Sequence, residues 1–219
     1  MNTLRAKFDK ELQTLTDSII TMSTTVESTI EKTMTALVKK DVALAKNIIK
    51  DDDIFDEMEV NIENECISLI ARQQPVASDL RAIFSVVKIV TDLERIADHC
   101  EDISHITLRL ADEDYVKPLI DIPKMAKLVK EMVRMTVDSF IDQDVIKARL
   151  ILANDDAVDD YYYLVMEDVK RMMCTHADAT SQLVDFLMIA KYLERMADHA
   201  TNIAEWVIYS VEGQHVETP

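Results

Sequence analysis

Residues 93–99 of this 219-residue chain read Leu-Glu-Arg-Ile-Ala-Asp-His, and residues 193–199 read Leu-Glu-Arg-Met-Ala-Asp-His. A near-identical phrase of this length, recurring a hundred positions on, marks an internal duplication, so the chain has to fold into a unit that can be built twice. The surroundings of both copies are helical. Val86, Ile89, Leu93, Ile96, Cys100 and Ile103 recur at three- and four-residue steps, and Phe186, Ile189, Leu193, Met196, Ala200 and Ile203 repeat the stripe. One glycine and four prolines leave too few turn formers for a strand-rich fold, so an all-α protein is expected.

Phe8, Leu12, Leu15, Ile19, Met22 and Val26 form another such seam, which predicts a first helix over residues 3–38. Lys39 and Lys40 suit a helix C-terminus, and Asp41 suits the cap of a second helix over 41–72, with a kink near Asp51. Pro75 stops it, and a third helix over 76–110 carries the first signature. Pro118 and Pro123 bracket the boundary between the halves. Helices over 123–142, 144–176 and 179–211 then repeat the set. The expectation is two tandem three-helix bundles related by duplication, residues 1–114 and 115–219, with neighbouring helices antiparallel.

A formal charge of −17 disfavours nucleic acid and anionic lipid and favours basic partners or cations. Cys66, Cys100 and Cys174 are odd in number and widely spaced, which fits small core residues in a reducing compartment. Charged residues recur through the first ten positions, and nowhere do about 18 apolar residues follow one another. A cytoplasmic protein without direct membrane insertion is expected.

Residues four apart lie about 40° from one another around a helix, so Glu94 shares a face with Asp98, and Glu194 with Asp198. Asp102 extends the first row and Asn202 the second. With Leu93 at zero, Glu94, Asp98 and Asp102 fall at roughly 100°, 140° and 180°, away from the Ile96–Cys100 seam, which predicts that these acids face outward. Asp52 with Asp56, and Asp155 with Asp159, form rows on the preceding helices of each half. Independent placement of 41 acids would give about seven or eight pairs at this spacing, so spacing alone fits a solvated surface. The matched repetition carries more weight, because like charges at i and i+4 destabilise a helix by a few tenths of a kcal/mol and a bound cation reverses the sign. An all-oxygen donor set suits magnesium, manganese, calcium or oxidised iron, with zinc also compatible. Both readings, metal site and solvated face, stay open on the residues alone.

His99 and His199 fall off the acid rows and read as packing or supporting groups rather than ligands. Arg95 and Arg195 are expected to pair with neighbouring acids, the methionines to fill the core, and the run Tyr161, Tyr162, Tyr163 to combine packing with a partly exposed ring. A ferritin-like di-iron carboxylate enzyme or iron-storage protein is the alternative function for a helical protein with paired acids. That chemistry uses Glu-x-x-His on core-facing helices, whereas Ala97 and Ala197 stand three residues after Glu94 and Glu194, and the one Glu-x-x-His runs from Glu212 to His215. A non-enzymatic protein is expected.

The segment from Pro75 to Arg81 leading into Thr91–His99, and the later Leu193–Glu205, resemble the two signature helices of the PhoU family. The likeness extends to the opening residues 8–12 and the helix start at 52–59, covering nearly the whole chain. The resemblance implies a cytoplasmic adaptor, peripheral at the membrane through its partners, that couples the ATPase subunit of the phosphate ABC transporter to a sensor histidine kinase and acts as a negative regulator of the phosphate-starvation response. It also implies a homodimer, and metal ions (iron, zinc, manganese or magnesium) or multinuclear clusters held by Asp52, Asp56, Glu94 and Asp98 in one half and Asp155, Asp159, Glu194 and Asp198 in the other. One departure is that Ala97 and Ala197 stand where the family has glycine. Alanine favours helix by about 0.8–1 kcal/mol but adds a methyl where backbone or bound water approaches.

Overall fold

Helix boundaries fall where side chains and left-handed residues satisfy the loose backbone ends. In the computed structural model, which describes residues 3–215, seven α-helices follow in order: α1 (Thr3–Lys39), α2 (Val42–Lys50), α3 (Asp53–Gln73), α4 (Ala77–Leu110), α5 (Asp121–Asp142), α6 (Val145–Met173) and α7 (Thr180–Glu212). The outermost positions of the two expected bundles, 1–2 and 216–219, lie outside the described residues.

The duplication reaches down to a turn. Between α1 and α2, Lys40 takes φ 54°, the Asp41 N–H donates to the Ala36 carbonyl at 2.9 Å, and the Asp41 carboxylate accepts from the Leu44 N–H at 3.0 Å. Between α5 and α6, Gln143 takes φ 51°, the Asp144 N–H donates to the Ser139 carbonyl at 2.9 Å, and the Asp144 carboxylate accepts from the Lys147 N–H at 3.0 Å. Each aspartate satisfies an orphan donor of the next helix, and the left-handed residue reverses the chain without glycine.

The single helix expected over 41–72 is two, α2 and α3, broken at Asp51 and Asp52. At the junction Asp51 ends α2, while Asp53 and Asp56 fall in the first turn of α3, at the positive end of its dipole. The matching stretch of the second half stays within one helix, α6.

The core follows the seams. Leu15, Ile19, Met22 and Val26 on α1, Ile89, Leu93 and Ile96 on α4, and Phe186, Ile189, Leu193 and Met196 on α7 are all buried. Burying each such side chain contributes about 1.5–3 kcal/mol. Cys66 and Cys100 are core residues as expected, but Cys174 is exposed at the end of α6, a correction to the reading of all three as buried.

Helices α1 to α4 form the first bundle and α5 to α7 the second, and the two share a central layer in which α4 packs on α7 and α1 on α5. The α4–α7 pair is antiparallel, with Arg109 bound to Asp185 at 2.5 Å toward one end and Phe84 against Trp206 at 5.7 Å toward the other. Buried Gln182 pins the linker, accepting from the Val116 N–H at 2.7 Å and donating to the Asp114 carbonyl at 3.1 Å. No helix among the described residues is long and apolar enough to cross a membrane.

Candidate metal centres flanking the central layer

Helix α4 has two polar faces. One meets α3 and carries the acid row; the other meets α7 and carries the histidine. On the α3 face, ligand oxygens of Asp56, Glu94 and Asp98 lie within 4.8 Å of one another, the one grouping of three or more His, Cys, Asp or Glu ligands gathered this closely among the described residues. Asp56 reaches the site from the first turn of α3, a placement fixed by the helix break at Asp51 and Asp52. A shallow hollow of about 320 Å³, lined by Asp56, Glu57, Val60 and Asn61, opens beside it. A larger concavity, about 540 Å³, is a groove between α1 and α5 that contains none of these acids.

The expectation that the acids face outward fails for Glu94, which is only 6% exposed. The wheel used one seam, but α4 contacts α1, α2, α3 and α7, so a residue about 100° from the seam still lies under a neighbouring helix. Burial, followed by repulsion from Asp98, pushes the Glu94 carboxyl up to about 7, with the Arg95 guanidinium opposing the shift. Burial and then the charges of Glu101, Asp98 and Asp56 lift Asp52 to about 6. Arg95, exposed at the rim, binds Asp98 at 2.7 Å and stands 3.3 Å from Glu94 Oε2, an oxygen that is buried and has no hydrogen bond. Three acids held together against their repulsion, with a buried carboxylate oxygen that makes no hydrogen bond and has only the rim arginine nearby, fit a hard cation.

The second half brings Asp155, Asp159, Glu194 and Asp198 into mutual electrostatic reach at the crossing of α6 and α7. Asp155 is lifted to about 6, first by burial and then by Asp198, Asp159 and Glu194. Burial also raises Asp159 and Asp198. Here a lysine intervenes, with the Lys191 ammonium hydrogen-bonded to Glu194.

Asp102 and Asn202, read as extensions of the rows, belong elsewhere. Asp102 binds His99 Nδ1 at 3.1 Å, and Asn202 donates to Asp92 at 3.3 Å. By i+8 along the helix from Glu94, rotation has carried these positions toward the α4–α7 seam. In that seam Asp92 meets His199 Nδ1 at 2.9 Å, the His99 ring lies 5.3 Å from Tyr192, and the two histidine rings are 5.9 Å apart. Burial lowers the His99 pKa, with the Asp102 hydrogen bond opposing. The histidines therefore join the two halves, away from the Asp56 cluster.

Sequence reasoning missed Glu59, Thr91, Asp92 and Lys191. Glu59 had a signal, since Asp52, Asp56 and Glu59 continue one row at steps of four and three. Asp92 had none, because its counterpart is Tyr192 and the repeat is silent there.

Two halves of one helical module, joined through their signature helices and each carrying carboxylates on its outer flank, define a duplicated helix-bundle protein with paired acidic sites. The model of the PhoU domain matches residues 19–107 and 122–207, once per half. The chain belongs to the PhoU family. It is 40% identical over 214 residues to a phosphate-specific transport system accessory protein PhoU homolog of Clostridium acetobutylicum, covering 97% of this chain and 98% of that one. A homolog of the same name from Aquifex aeolicus is 40% identical over 211 residues, 96% of each. The crystal structure of PhoU from Pseudomonas aeruginosa matches with a TM-score of 0.90 at 33% identity, over 94% of this chain and 100% of that chain. That of the phosphate transport system regulatory protein PhoU from Streptococcus pneumoniae gives 0.89 at 30% identity, over 96% and 100%.

Proposed function

We propose that this chain is a non-enzymatic regulatory adaptor of phosphate uptake, linking the ATPase subunit of a phosphate ABC transporter to a sensor histidine kinase and restraining the starvation response. The observation that carries the reading is end-to-end similarity to proteins named as accessory to phosphate-specific transport. A charge of −17 supports docking on basic surfaces of such partners. Asp56, Glu94 and Asp98, with Asp52 beside them, would hold a metal ion, and Asp155, Asp159, Glu194 and Asp198 are the candidate set of the second half. A cation there would cancel the repulsion among the carboxylates and offer a coordination position to a partner's oxygen ligand. Asp102 and Asn202 are not part of this proposal, since they serve the seam between the halves.

The test is co-purification of the full chain with the transporter ATPase and the kinase, in the presence of manganese and again in EDTA. The adaptor reading expects both partners to be retained, and the metal reading expects EDTA, or Asp56→Asn with Asp98→Asn, to weaken at least one association. Retention of neither partner by the folded protein would refute the adaptor reading.

A further inference from the structure

The two acidic clusters are counterparts by duplication but are not alike. On the outer helices Asp52, Asp56 and Glu59 correspond to Asp155, Asp159 and Tyr162, and on the signature helices Thr91, Glu94, Asp98 and Glu101 correspond to Lys191, Glu194, Asp198 and Thr201. In the first half Thr91 donates its hydroxyl to Glu59 at 2.7 Å, and the Glu59 charge adds to the repulsion on Glu94. Glu101 adds its own to Asp52. In the second half the acid at the Glu59 position is a tyrosine, the acid at the Glu101 position is a threonine, and the hydroxyl at the Thr91 position is an ammonium. Lys191 uses that ammonium twice, bonding Glu194 and lying 5.6 Å from the centre of the Tyr162 ring. All three differences have the same sign. They leave the first cluster with two more negative charges and one fewer positive charge than the second.

Glu94 and Glu194 show the result. Glu94 is more than nine-tenths buried and its Oε2 has no hydrogen bond, whereas Glu194 is held by the lysine of its own helix. A cation entering the first cluster meets a buried oxygen without a hydrogen bond and has to turn aside only the exposed guanidinium of Arg95, ion-paired with Glu94 and Asp98 at the rim. One entering the second must displace a bound ammonium. We infer that the two clusters fill in order, the first-half cluster ahead of the second, and that Lys191 sets this order by acting as a tethered cation in the second site. The inference rests on the metal reading given above and extends it by ranking the sites and naming the residue that ranks them.

A single charge within a few ångströms of a bound ion at a partly hydrated site is worth about tenfold or more in affinity. The test is titration of full-length, EDTA-stripped protein with Mn²⁺, followed by calorimetry and by the Mn²⁺ paramagnetic resonance signal. Asp56→Asn with Asp98→Asn, and separately Asp159→Asn with Asp198→Asn, assign each binding class to its half. The parent should show a tight class from the first half and a class at least about tenfold weaker from the second. Lys191→Thr should tighten only the weaker class, and the reciprocal Thr91→Lys should weaken only the tighter one, with helical circular dichroism unchanged in both. Equal affinities in the parent, or a weak class that Lys191→Thr leaves unmoved, would overturn the ordering while the metal reading stands. No Mn²⁺ bound by the parent or by Lys191→Thr would overturn both.

Discussion

Replacing Glu94 by glutamine in the metal-free protein should make it more stable at pH 8. Glutamine keeps the shape and removes the charge, and this carboxyl titrates near 7 in the folded protein against an ordinary value of 4.5. A carboxyl raised on folding holds its proton more tightly in the folded state. Its contribution to stability is therefore fully present below about pH 4.5 and is lost as the pH climbs through about 7. The interval, in which the opposing effect of Arg95 is already included, sets a ceiling of roughly 3.4 kcal/mol at pH 8, and screening by water at the open hollow reduces the expected effect to about 1–2 kcal/mol. Urea denaturation in EDTA should find Glu94→Gln ahead of the parent by that amount at pH 8 and level with it at pH 4.5. Saturating Mn²⁺ should reverse the order at pH 8 by stabilising only the parent. A variant that is less stable than the parent at pH 8 in EDTA, or a gap that ignores pH, would refute the account of Glu94 as a buried charge awaiting a counter-ion.

Asp52 and Asp155, both lifted to about 6 from 3.8, should add to the same trend, so the melting temperature of the metal-free parent should fall as pH rises from about 4 to about 7. Asp41→Ala and Asp144→Ala should each cost about 1 kcal/mol in urea denaturation, since each removes the same cap from an equivalent turn. Gln182→Leu should cost about 1 kcal/mol, measured the same way, because it removes the hydrogen bonds that hold the Val116 N–H and the Asp114 carbonyl of the linker. A thiol reagent should titrate Cys174 quickly and reach Cys66 and Cys100, whose thiols are pushed up to about 12, only on unfolding.

Helix positions were legible because seam and stop signals agreed. Pro75 and Asp41 fall within a residue or two of observed helix ends, and every residue of the α4 seam is buried. The break between α2 and α3 was visible only as a kink, since neither a proline nor a glycine marks it. The triad Asp56, Glu94 and Asp98 was legible because the duplication marked its members. Its burial was not, because a wheel drawn from one seam treats a helix with four neighbours as though it had one exposed face. Lys191 escaped for a related reason. Repetition draws the eye to what two copies share, and the difference between the sites is held by residues that they do not.

The antiparallel crossing of α4 and α7 sets each signature position opposite its own repeat-mate's neighbourhood. Asp92 meets His199 while Tyr192 meets His99, and His99 faces His199. Reciprocal contacts of this kind are what a two-fold axis generates when a surface packs against its own copy. Geometrically, the halves stand to each other as subunits of a dimer, with residues 111–120 as a covalent afterthought. Cleavage of the exposed stretch Asp112, Glu113, Asp114 should then yield two fragments that still travel as one particle, held by the pairing that the linker merely preserves.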